Sequence, residues 1–64
     1  MVNGISLSEL MVRYRAKYNI NQEELAKRCN LTKQTVGAIE SGRRTGTNLT
    51  KAKIMRVIEE DKND

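Results

Sequence analysis

Lys33, Gln34, Arg43 and Arg44 stand within a single thirteen-residue stretch, TKQTVGAIESGRR, at positions 32–44. Their side chains are hydrogen-bond donors, three of them cationic, and the chemistry they offer is recognition of an anion. Covalent chemistry has far fewer candidates. The chain has one cysteine, Cys29, and no histidine, so it can form no intrachain disulfide and assemble no Cys/His metal cluster. Glu23 and Glu24 are adjacent, and neighbours on a helix point about 100° apart, which makes them a poor general acid/base pair. The Glu59-Glu60-Asp61 run reads as a solvated tail. With no nucleophile–base set visible, the chain is expected to be neither an enzyme nor a holder of metal or cofactor.

Charge distribution sharpens the recognition reading. Residues 1–58 hold eleven of the twelve Lys/Arg and only four acids, a net +7, while the tail EEDKND at 59–64 carries −3. A basic body with an acidic end fits a polyanionic partner, although a merely well-solvated surface has the same composition. No apolar run nears the roughly 20 residues of a membrane span, and MVNGISLSEL lacks the basic and apolar regions of a signal peptide. A cytoplasmic protein with no membrane partner is expected.

These donors need rigid elements to hold them, and the chain announces four. An apolar residue, a capping residue and a second apolar residue four positions after the cap recur at Ile5-Ser6/Leu10, Ile20-Asn21/Leu25, Leu31-Thr32/Val36 and Leu49-Thr50/Ile54. That pattern is the hydrophobic staple around a helix N-cap. Ser6 with Glu9 and Asn21 with Glu24 also have capping-box spacing. The predicted helices are 7–18, 22–29, 33–41 and 51–60, in a single all-α domain over residues 1–64. Leu7, Leu10, Met11, Tyr14 and Tyr18 form the buried stripe of the first helix, with Arg13, Arg15 and Lys17 on its other faces. Ser41-Gly42 closes the third helix, with Gly42 left-handed, and RRTGTN is a loop. Cys29 reads as a small core residue.

Only about three residues join the second and third helices, so the two must cross steeply. Asn30 suits the left-handed turn this requires, and Ala26 is small enough for close approach. Leu25, Cys29, Leu31, Val36 and Ile39 fill the corner. The stretch QEELAKRCNLTKQTVGAIESG, which holds a helix-turn-helix at about 22–41 and ends on Gly42, resembles the helix-turn-helix of the lambda-repressor-like (Cro/repressor, XRE) DNA-binding family, and the four-helix layout extends the resemblance over most of the chain.

That resemblance implies a compact lambda-repressor-like fold, phosphate contact by Gln22 at the start of the second helix, and a buried pair between Arg15 and Glu40. It also implies that the third helix enters the major groove, presenting Thr32, Lys33, Gln34, Thr35, Gly37, Ala38 and Ser41. Gln34 has the geometry to pair with adenine and Lys33 with guanine, while Arg43 and Arg44 flank the groove as phosphate contacts. Gly37 costs a helix interior roughly 0.8–1 kcal/mol relative to alanine. On this geometry it and Ala38 lie on the exposed face, where a long side chain would hold the helix off the DNA.

The expected function is that of a small sequence-specific regulator of phage or bacterial type, most simply a repressor, associated with the nucleoid. A homodimer on a palindromic operator is expected, joined through the fourth helix (Met55, Ile58) or the first residues. The alternative is a protein-interaction module, such as an antitoxin or antirepressor component, whose basic surface meets an acidic protein partner. The loop before the fourth helix departs from the family in lacking its frequent Asn-Pro.

Overall fold

The computed structural model describes residues 6–62. Four helices follow in order: α1 (Leu7–Tyr18), α2 (Gln22–Cys29), α3 (Lys33–Glu40) and α4 (Asn48–Lys62). The described residues are all helix and connection, without strand. The first three helix starts are the predicted ones, because their caps form. Ser6 Oγ accepts from the Glu9 amide (3.2 Å), Asn21 Oδ1 from the Glu24 amide (2.8 Å) and Thr32 Oγ1 from the Thr35 amide (3.2 Å). Each such cap contributes about 1 kcal/mol. The Glu9 and Glu24 carboxylates turn forward to Arg13 and Arg28, four residues on. Ile5 and the first residues offered as a dimer contact lie outside the described residues.

The connections α1–α2 and α2–α3 are the same three-residue device. Asn19 (φ 54°) and Asn30 (φ 58°) are left-handed. The next amide then reaches back to close the preceding helix: Ile20 N–H to Arg15 O (3.0 Å), and Leu31 N–H to Ala26 O (2.8 Å). Ile20 and Leu31 pack on the core, and the residue after each is the next helix's cap. One apolar side chain thus closes one helix and staples the next.

α4 departs from expectation. Its cap is Thr47, whose Oγ1 accepts from the Thr50 amide at 3.2 Å, and its first helical bond runs from Lys51 N–H to Thr47 O at 2.9 Å. The helix therefore starts three residues before the predicted 51. Leu49, read as a staple, is 67% exposed. The cause is Gly46, left-handed at φ +80° and set against Thr50 Cγ2 and Ile39 Cδ1, where a Cβ would lie at 3.2 and 3.3 Å. The loop turns at Gly46, so the next competent residue caps. At its other end α4 runs on to Lys62, past the predicted 60.

Each helix supplies one wholly enclosed side chain: Met11, Leu25, Val36 and Ile54. Leu25 and Val36 are the staple residues of α2 and α3, so the devices that start those helices also centre the core. Tyr14, Ala26, Cys29 and Ile39 complete it. Enclosing an aliphatic side chain contributes about 1.5–3 kcal/mol. α3 packs on both α1 and α2, and α4 on both as well.

Candidate nucleic-acid interface

The start of α3 stands clear of the body. Thr32, Lys33 and Gln34 are exposed, because the phase that buries Val36 and Ile39 leaves the first turn outside. Thr32 is already committed as the cap, and its Oγ1 lies 2.9 Å from Thr35 Oγ1. Thr35 is half-buried. Lys33 and Gln34 are thus the two long polar side chains that the turn carries outward.

At the other end of α3, Gly42 (φ +84°) reverses the chain. The Gly42 amide donates to Ile39 O at 3.1 Å and the Arg43 amide to Ala38 O at 2.9 Å, the paired bonds of a left-handed C-terminal cap. The Arg44 amide (3.2 Å) and Ser41 Oγ (3.1 Å) donate to the same Ala38 carbonyl. Arg43 and Arg44 are thereby returned alongside α3, both exposed. Arg43 Nε donates to Ser41 Oγ at 3.2 Å, so exposed Ser41 is tied to the cap and to Arg43. Gln34, Thr35, Arg43 and Arg44 wall a shallow polar recess of about 390 Å³, with Ala38 at its floor.

Two expectations change here. Ala38 is not on the exposed face: it is 8% exposed, because the returning chain folds over it. Gly37 is half-buried, and what it faces is protein. A Cβ there would stand 3.4 Å from Gln22 Oε1 and 3.9 Å from its amide carbon and nitrogen. Gln22, the first residue of α2, lies across α3 at Gly37, and its Nε2 donates to Glu40 Oε1 at 3.0 Å.

Glu40 is the only acid between positions 25 and 58, a span with eight Lys/Arg. Arg15 meets it in a two-bonded fork, Nε to Oε2 and Nη2 to Oε1, both 2.8 Å. The Glu40 side chain is 5% exposed and that of Arg15 24%. These hydrogen bonds raise the Arg15 guanidinium above its ordinary value against the opposing effect of burial, so Arg15 keeps its charge beside the carboxylate. Among the described residues no carboxylate lies within ion-pair distance of Lys33, Arg43 or Arg44. The single carboxylate of α3 is turned inward and neutralised, leaving cations and amides outside.

Other charged residues have tasks in the body. Arg28, unremarked in the sequence, donates from Nη1 to the Tyr14 hydroxyl at 2.8 Å and lies over the Tyr14 and Tyr18 rings. Cys29 is buried, and desolvation raises its thiol pKa, the opposite of a reactive cysteine. Among the described residues no cluster of His, Cys, Asp and Glu could hold a metal, and no helix is long and apolar enough to cross a membrane.

A protein-family model described as helix-turn-helix, HTH_3, matches residues 12–56, well over half of the chain. No curated protein and no solved structure matches it. The chain belongs to this XRE/lambda-repressor-like helix-turn-helix family, whose members are DNA-binding regulators and generally not enzymes.

Proposed function

We propose that this member of the XRE/lambda-repressor-like helix-turn-helix family reads a specific duplex sequence with the first turn of α3 and acts as a repressor. The observation that carries the reading is the charge arrangement just described. Lys33 and Gln34 are exposed on the first turn of α3, Gln34 in one recess with Arg43 and Arg44, while Glu40, the one carboxylate of α3, is held inward by Arg15. A duplex approaching this face meets donors and no uncompensated acid. Gln34 pairs with adenine N6/N7 and Lys33 with guanine O6/N7, each good contact discriminating by about 1–3 kcal/mol. Arg43, Arg44 and Gln22 hold phosphates and set the register. Thr32, Thr35, Ser41 and the Ala38 floor shape the close contact without reading bases, and Gly37 acts behind them, against Gln22.

A single module buries only about 600–1,000 Å² on DNA, so we propose a homodimer on a palindromic operator. The body measures 28 × 25 × 19 Å, slightly less than the roughly 34 Å of one duplex turn. Copies on successive turns therefore come into contact distance. The apolar groove of about 460 Å³ between α1 and α4, with Leu10, Tyr14, Tyr18, Met55 and Ile58 among its lining, suits the joint. Residues 1–64 act as one domain in the cytoplasm, on the nucleoid, and block polymerase at an overlapping promoter.

Selection of duplexes from a random pool, followed by a salt titration of the winner, tests this reading. Six or so phosphate contacts give a log–log slope near −5, and the selected site has two-fold symmetry. A salt-independent interaction, or no enriched sequence, sinks the DNA reading in favour of an acidic protein partner.

A further inference from the structure

Gln22, Gly37 and Glu40 form a three-part arrangement across the α2–α3 crossing, and it bears on how the first of them can act. Glu40 Oε1 accepts from two donors, Arg15 Nη2 at 2.8 Å and Gln22 Nε2 at 3.0 Å. A carboxylate paired to arginine only accepts, so the Gln22 amide has one tolerable orientation. Reversed, its oxygen would face the carboxylate oxygen. Gln22 Oε1 occupies the space over Gly37, where a Cβ would stand in contact at 3.4 Å, so that a bulky side chain would have to displace the amide. The amide nitrogen keeps a second N–H with no other hydrogen bond among the described residues.

We infer that Glu40 and Gly37 are positioning residues for Gln22: the carboxylate fixes which end of the amide faces α3, and the missing side chain provides the notch in which it lies, so that a preset N–H meets a DNA phosphate. This rests on the proposed DNA-binding reading and deepens it. An unheld glutamine at a helix start would sample both amide orientations and several rotamers, and it would lose that freedom on binding. Gln22 gives it up on folding instead. Arg15 enters as the group that makes Glu40 a tolerable neighbour for a phosphate, since a bare carboxylate there would repel it. The same arrangement calls for a small side chain at position 37, a demand that glycine meets at a cost in helix propensity and that alanine would meet as well.

The test replaces single phosphates of the selected duplex with neutral methylphosphonates and compares binding by the native chain and its Gln22→Ala, Gly37→Ala, Gly37→Leu and Glu40→Gln variants. The phosphate read by Gln22 is the one where substitution weakens the native chain at least tenfold and leaves Gln22→Ala indifferent. At that phosphate Gly37→Ala keeps the native sensitivity, while Gly37→Leu and Glu40→Gln lose it. Sensitivity at all other phosphates stays unchanged in every variant.

The free proteins give an independent readout. In the native chain one side-chain amide proton of Gln22 is shifted downfield and exchanges slowly in NMR, and both effects vanish in Glu40→Gln and Gly37→Leu. Folded variants with native sensitivity at the Gln22 phosphate overturn the positioning role while leaving the DNA reading intact, as does a Gln22 amide that behaves as free in the native chain. A native chain that binds no duplex removes both together.

Discussion

The guanidinium of Arg15 and the carboxylate of Glu40 meet in two parallel hydrogen bonds of 2.8 Å, tying α1 to the last residue of α3. Because Glu40 is nearly enclosed, removal of Arg15 strands a charge instead of merely deleting a contact. Arg15→Ala is expected to destabilise the fold by about 3 kcal/mol, the lower end for a broken buried pair because Arg15 itself is partly solvated. Replacing both partners together, as Arg15→Leu with Glu40→Leu, recovers most of that loss. Urea denaturation of Arg15→Leu, Glu40→Leu and the double variant measures the coupling; additive losses would show that the fork contributes nothing as a pair.

Asn30 sits at φ 58° between α2 and α3, a conformation that costs most L-residues roughly 1–2 kcal/mol. Asn30→Gly is expected to be neutral or slightly stabilising, and Asn30→Val to lower stability by about that cost. Thermal melts decide it, and equal melting temperatures for the two variants would mean that the turn is not held left-handed in solution.

Thr47 and Thr50 compete on paper for the start of α4, and the structure has Thr47 capping Thr50. Thr47→Ala should therefore cost about 1 kcal/mol, and Thr50→Ala a few tenths at most. The reverse order in chemical denaturation would return the cap to Thr50.

That misplaced cap marks the limit of what the chain's local patterns reveal. Asn21, Thr32 and Ser6 were legible as caps because a cap, its amide and its staple lie within five residues. Thr50 satisfies that local rule, with Leu49 before it and Ile54 four on, and Thr47 does not; yet Thr47 caps, because the loop turns at Gly46, which lies against Ile39 and Thr50. The interface divides likewise. Lys33 and Gln34 follow from the phase that buries Val36 and Ile39. Ala38 was misjudged because the helix's own periodicity does not reveal a chain that returns over it through Arg43 and Arg44. The Gln22–Gly37–Glu40 contact depends on how α2 is set against α3, which no spacing within either helix encodes. Arg15 with Glu40, 25 positions apart, was suggested only by family resemblance.

Burial raises the Cys29 thiol above the usual 9.0, so the fold favours the neutral form. Its contribution is complete below the usual value. Above it the unfolded chain ionises first and binds fewer protons than the folded one, so stability falls as pH rises toward the folded value, by up to about 1.4 kcal/mol per pH unit. Denaturation midpoints measured from pH 7 to 10 should decline more steeply for the native chain than for Cys29→Ala, which lacks the titrating group. Parallel declines would show that the thiol is not desolvated in solution.

Lys33 and Gln34 are proposed to meet base edges, Arg43 and Arg44 phosphates, and the two tasks leave different signatures. Loss of a base contact weakens the preferred site by about 1–3 kcal/mol per good pair but leaves unrelated duplexes largely as they were. Loss of a phosphate cation weakens every duplex alike and makes the salt slope shallower by about one. Gln34→Ala should therefore relax sequence preference with an unchanged slope, because the amide releases no counterion. Arg44→Ala should flatten the slope with preference intact, and so should Arg43→Ala, unless its bond to Ser41 Oγ also shapes the recess. Lys33→Ala is the informative intermediate, since a cation on a base edge contributes to both measures. If it shifts the slope alone, Lys33 belongs with the phosphate contacts, and base reading in the first turn of α3 falls to Gln34.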